Sequence, residues 1–148
     1  TLFHGTKFQG IEKLMNINEM GLTLRCKLAK KNISEEGQFA SQDFNPISLD
    51  IAFQGMLIWT RYFKKSGSLP LKTETVEHFR KVPFEKTFYL SMRVKSNNST
   101  AITADLFLHD EAGLIYARII GAEVTVSKSL NTLFNNYIEI IRDLISLF

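Results

Sequence analysis

The sequence predicts an α+β domain in which an antiparallel sheet curls around a single long helix. Three observations predict it. Leu22, Leu24, Cys26 and Leu28 alternate with polar residues near the start. The stretch from Pro46 to Phe63 is apolar almost throughout. Further alternating segments, joined by polar turns, fill Thr87 to Val126. Period two marks a half-buried strand, and a helix apolar nearly all round has to be buried rather than lie on a surface.

The first segment, Thr1 to Gly10, carries Phe3 and Phe8 and is punctuated by Gly5 and Gly10. Ile11–Ile17 and Leu22–Leu28 follow, separated by Asn18-Glu19-Met20-Gly21, and read as an antiparallel strand pair around a glycine-containing turn. Lys30 to Asp43 is polar and reads as a surface loop. Asn45-Pro46 is a helix-start signal, an N-cap followed by proline at the first helical position. Lys64-Lys65-Ser66-Gly67 supplies cations to the last turn and a glycine stop. The helix between them, roughly 18 to 20 residues, is about 30 Å long. After Leu69-Pro70, Thr75–Phe79 reads as a short strand. Thr87–Val94, Thr100–Leu108 and Leu114–Val126 form a meander with turns at Lys95–Ser99 and Asp110–Gly113. From Ser129 the apolar residues recur at i, i+3 and i+4 (Leu130, Leu133, Phe134, Tyr137, Ile138, Ile141), the pattern of an amphipathic helix. Strand pair, buried helix and meander together make the hot-dog arrangement over residues 1–127, with 128–148 as a helical tail or linker.

Composition narrows the function. The 148 residues are 45% hydrophobic and 22% charged, enough to bury a core and too little charge for wholesale disorder. No run of about 18 apolar residues exists, so no membrane span is expected. The net charge of +3 comes without a clustered Lys/Arg stripe, so no nucleic-acid partner is expected. The one cysteine, Cys26, can form neither an internal disulfide nor a thiolate metal cluster, which points to a reducing, cytoplasmic setting. No His/Cys/Asp spacing calls for a metal, and no phosphate-binding loop or nucleophile elbow is present. The chain opens on Thr1 with no targeting stretch and closes on an apolar Leu147-Phe148, as expected of a segment of a longer polypeptide.

Within the apolar helix, Asp50 and Gln54 are four apart and share a face. A carboxylate among Leu49, Ile51, Phe53 and Met56 is costly unless protonated or partnered, and a carboxylic acid kept neutral near pH 7 can donate a proton. The plainer reading has Asp50 near the positive end of the helix dipole, facing solvent. Spacing alone leaves both open. Among the histidines, His109 sits where a strand enters a hairpin turn, a surface setting. His78 has no motif around it. His4, in Phe3-His4-Gly5, is the most notable of the three.

Three segments in order carry a family resemblance. Leu2-Phe3-His4-Gly5-Thr6-Lys7-Phe8-Gln9-Gly10 resembles the Tyr/His-Gly-Pro-x-Phe-Gln-Gly segment of polyketide synthase dehydratase domains. Asn45-Pro46-Ile47-Ser48-Leu49-Asp50-Ile51-Ala52-Phe53-Gln54 resembles their His-Pro-x-x-Leu-Asp-x-x-x-Gln/His helix. Ser68-Leu69-Pro70 resembles the Leu-Pro segment that follows, and Ala104–Ala117 the closing strands. Thr6 stands where the family usually has proline, and Asn45 where histidine is common.

The resemblance implies the second, C-terminal half of a double hot-dog, acting on a 3-hydroxyacyl group held on an acyl carrier protein. Asp50 matches the family's catalytic aspartate and Gln54 the residue that orients it. His4, Gly5, Phe8, Phe53, Leu69 and Pro70 match positions lining the acyl cleft. The family's histidine base comes from His-x-x-x-Gly-x-x-x-x-Pro in the other half, which this sequence lacks. His109 with Gly113 begins the motif, but position 118 is arginine. The implied partners are therefore the N-terminal hot-dog of the same polypeptide, an acyl carrier protein and a second copy in a homodimer. No cofactor is implied beyond the carrier's phosphopantetheine. The alternative is a hot-dog module that binds or shapes an acyl chain without dehydrating it, like a product-template domain, or a hot-dog thioesterase.

Overall fold

The structure, a computed structural model, describes residues 10–30 and 45–134. The Thr1–Gln9 segment, most of the polar Lys30–Asp43 stretch and the tail beyond Phe134 lie outside the described residues. Among the described residues, seven strands and one α-helix follow one another as β1 (Ile11–Asn18), β2 (Gly21–Lys27), α1 (Pro46–Lys64), β3 (Gly67–Lys72), β4 (Thr75–His78), β5 (Thr87–Asn97), β6 (Ala101–His109) and β7 (Ile115–Ser127). All pair antiparallel in one sheet of order β1-β2-β5-β6-β7-β3, with β4 also on β7. The sheet does not close, and α1 packs against one face of it: this is the expected hot-dog arrangement.

Strand alternation sets the two faces. Leu22, Leu24 and Cys26 of β2, Phe88, Leu90 and Met92 of β5, and Ile102, Ala104, Leu106 and Leu108 of β6 are buried on the helix side. They meet Ile51, Ala52, Met56, Ile58 and Trp59 of α1. At Gly55 the helix comes so close that a Cβ would lie 2.6 Å from a Leu90 methyl. Trp59 Nε1 donates to the Asn18 carbonyl at 2.9 Å, tying the helix to the β1–β2 turn.

The helix starts as expected and ends differently. Asn45 is the N-cap, its side chain accepting from Ile47 N–H at 3.0 Å, with Pro46 in the first turn. The left-handed residue that ends the helix is Lys65 (φ 52°) rather than Gly67. Its N–H donates to the Arg61 carbonyl, its Nζ donates to the Tyr62 carbonyl, and its ammonium lies over the Tyr62 ring. These contacts offset the roughly 1–2 kcal/mol that a β-carbon costs in this conformation. Gly67 instead begins β3.

Two further features depart from the sequence pattern. Gly67–Lys72, expected only as a Leu-Pro link, is a strand pairing with β7. It tolerates Pro70 because it is an edge, where a missing N–H costs little. The described start of the tail, Lys128–Phe134, is a 3₁₀ helix rather than an α-helix. Asn131 fixes it, accepting from Arg61 Nη1 at 3.0 Å and donating to the Lys65 carbonyl at 2.8 Å.

The register of β6 on β7 jumps between Ala104↔Ala122 and Leu106↔Ile119, so Asp105 faces two residues, Ile120 and Gly121. This is a β-bulge with a left-handed glycine, Gly121 at φ +62°. Asp105 holds it, accepting from the Gly121 N–H at 3.0 Å. The carboxylate is 2% exposed and also pairs with Arg93 at 3.2 Å and Lys95 at 3.8 Å. Burial pushes its pKa up, but the Gly121 N–H and the two cations outweigh that and hold it below the ordinary range. The bulge lies where β7 exchanges edge partners, from β4 along Ala117–Ile120 to β3 along Glu123–Ser127.

The bulge can be probed through its glycine and through its carboxylate. Gly121→Ala should destabilise by about 1–2 kcal/mol in urea titration, through left-handed strain and a Cβ set against Glu74. An unchanged midpoint would mean that the bulge rearranges freely. The depressed Asp105 pKa stabilises the fold above the unfolded carboxylate value of about 3.9, and this is lost as pH falls through the lower folded value. The stability gap between the unmodified chain and Asp105→Asn should therefore narrow in acid. A gap independent of pH would put the cost in packing alone.

Candidate active site

The first turn of α1 contains no acid; Asp50 lies in the second. Ser48 braces the start, its hydroxyl and N–H both reaching the Asn45 carbonyl, at 2.6 and 3.0 Å. This fixes the turn from which Asp50 projects. Asp50 is half-buried and Gln54 buried, and Gln54 Nε2 donates to Asp50 Oδ2 at 2.6 Å. The helical i, i+4 spacing thus becomes a direct carboxylate–amide contact. The carboxylate is thus partnered and half-buried.

The surroundings are apolar. Ile51 is fully buried, and Leu49 and Phe53 are half-buried against the core. Gly10 lies against Ile51, where a Cβ would collide with the isoleucine side chain. The chain therefore passes close to the residue after Asp50.

The other predicted site residues divide into two groups. Leu69 and Pro70 are exposed on the edge strand β3, opposite Thr125 and Val124. His4, Gly5 and Phe8 lie outside the described residues. Among the described histidines, His78 is exposed at the end of β4. His109 does not lie simply on the surface: it is half-buried on the sheet face opposite the helix, bonded to Ser91 and stacked on Tyr89. Among the described residues no group of His, Cys, Asp and Glu is placed to hold a metal. No helix among them is long and apolar enough to cross a membrane.

A family profile described as the polyketide synthase dehydratase N-terminal domain matches residues 1–132. The chain belongs to this dehydratase family. It is 29% identical over 133 residues to a polyunsaturated fatty acid synthase polypeptide of Thraustochytrium sp. (strain ATCC 26185 / S-3), covering 88% of this chain and 5% of that protein. The dehydratase domain from the CurJ module of the curacin polyketide synthase superposes with a TM-score of 0.67 at 18% identity, over 84% of this chain and 44% of that one. A trans-acyltransferase polyketide synthase enoyl-isomerase gives 0.66 at 14% identity, over 81% and 46%. The chain thus spans about a twentieth of the curated relative and under half of those solved chains. A dehydratase and an isomerase share this architecture, so the site rather than the fold has to choose the reaction.

Cys26, the one cysteine, also lies on the helix side of the sheet. It is fully buried, and its thiol is pushed up to about 12 by that burial, with Glu12 adding to the rise and a Leu90 backbone hydrogen bond opposing it. Labelling of Cys26 by a disulfide-exchange reagent at about pH 8 should proceed only as fast as the protein unfolds. Rapid labelling of the folded chain would contradict this burial.

Proposed function

We propose that this chain is the aspartate-bearing hot-dog of a dehydratase that removes water from a 3-hydroxyacyl thioester on an acyl carrier protein. The observation that carries the reading is the Gln54–Asp50 hydrogen bond in an apolar wall. The family profile bears an N-terminal name. The aspartate-bearing, C-terminal assignment rests instead on Asp50 and Gln54 themselves and on the sequence having no His-x-x-x-Gly-x-x-x-x-Pro stretch. The share of the solved dehydratase chain covered, 44%, also suits one half of a double hot-dog.

The reaction follows from the chemistry of the groups. A thioester acidifies the hydrogens on C2, so a base can remove one as the 3-hydroxyl departs. Hydroxide is a poor leaving group, and a carboxylic acid beside it converts it to water. Asp50 is that acid. The Gln54 amide suits a group that gains and loses a proton, since its N–H donates to the carboxylate and its carbonyl accepts from the acid. The base is supplied by the other hot-dog of the same polypeptide, and the acyl chain lies along the apolar wall at Leu49 and Phe53. The carrier protein presents the substrate on phosphopantetheine, the assembly pairs as a homodimer, and the setting is cytoplasmic.

The test is a dehydration assay on the intact protein with a 3-hydroxyacyl carrier protein, following loss of water by mass spectrometry. Asp50→Asn should lower turnover by at least about a hundredfold with the melting curve unchanged. Gln54→Ala should lower it less. Near-normal turnover in Asp50→Asn would overturn the assignment. A folded but inert unmodified protein that still binds the carrier would make this a chain-shaping module.

A further inference from the structure

Asp50 and Gln54 stand on the helix side of the sheet. On the opposite face, several charged groups are paired with one another: Arg25 with Glu12, Arg118 with Glu77, and Lys72 with Glu123. Amid these pairs lies a cluster of another kind. Ser91 Oγ is 2.8 Å from His109 Nε2, and His109 Nδ1 is 2.7 Å from the Asp110 carbonyl oxygen. Both residues are half-buried. Tyr89 stacks on the imidazole at 5.8 Å between centroids and fixes its plane.

The hydrogen-bond roles can be deduced. A carbonyl oxygen only accepts, so Nδ1 carries the proton of the neutral ring and Nε2 presents its lone pair. The Ser91 hydroxyl therefore donates to Nε2. Thr23 Oγ1, at 3.5 Å from Ser91 Oγ, is left to donate to the serine oxygen. A hydroxyl donating to a base whose far nitrogen is held by a third group is the arrangement of an activated serine nucleophile.

We propose that Ser91 and His109 form a second reactive site, an acyl-accepting serine on the outer face of the sheet, whose substrate class is activated acyl esters and thioesters. Ser91 Oγ attacks the acyl carbonyl carbon while its proton passes to His109 Nε2. The carbon–sulfur bond of a thioester breaks, and the departing thiolate takes that proton. The products are an acyl ester on Ser91 and a free thiol. The site does not depend on Asp50 or on the dehydration reading.

A fluorophosphonate reporter on the intact protein tests this. Trypsin releases Thr87–Arg93, in which Ser91 is the one serine, so fragment masses locate the adduct. The adduct should form on Ser91, persist in Asp50→Asn, and slow by about a hundredfold in His109→Gln. An unlabelled Ser91 in the folded protein overturns the proposal, as does labelling at the same rate in His109→Gln. Ser91→Cys gives a second reading that does not rely on an oxyanion site. Its thiol should alkylate with iodoacetamide faster at about pH 7 when His109 is present than in the double variant with His109→Gln. Equal rates would show that the imidazole withdraws no proton, and the proposal would fall.

Discussion

The close seating of α1 on the sheet governs the rest of the molecule. At Gly55 there is no room for a side chain between helix and Leu90, and Ile51, Met56 and Trp59 fill the flanking space. Apolar burial of this kind is worth about 25 cal/mol for each Å² removed from water, so the helix cannot shift or rotate without losing several large side chains at once. Its rotation is therefore fixed, and with it the direction in which residues 50 and 54 point. A carboxylate in the second turn of a helix free to roll would find water. Here it is held at a half-buried margin with an amide as its neighbour.

The same seating explains which parts of the architecture are readable in the sequence. Elements set by a local pattern are legible there: the alternation of β2 and of the β5–β6–β7 meander, and the capped, apolar helix. Asp50 with Gln54 is legible too, because four residues on a helix is a geometric statement. What escapes depends on partners distant in sequence. β3 contains a proline and has weak alternation; it is a strand because β7 offers it an edge. Asp105 is not marked out by any local pattern, yet the bulge on β7 and two cations on β5 close over it. Lys65 ends the helix in a conformation usually left to glycine because Tyr62 and Arg61 are there to receive it. Ser91 and His109 are 18 residues apart, and only the register of β5 on β6 brings them together.

The two faces of the sheet thus differ in chemistry as well as in exposure. The helix side is mostly apolar, with the Asp50–Gln54 pair at its margin and Thr60 and Arg61 among its buried polar groups. The other side is polar, and several of its charges neutralise each other in cross-strand pairs. Such pairs contribute little to stability singly when exposed.

Trp59 is the one tryptophan in the chain. Its indole N–H rests on a carbonyl of the β1–β2 turn, while its ring lies tilted against Phe63 at 4.8 Å between centroids. The chromophore therefore straddles the seam between the first hairpin and the helix. Its emission is an internal gauge of whether those two pieces are docked, which a signal from the β5–β7 meander would not give. Kinetic traces of its emission time the arrival of the hairpin on the helix.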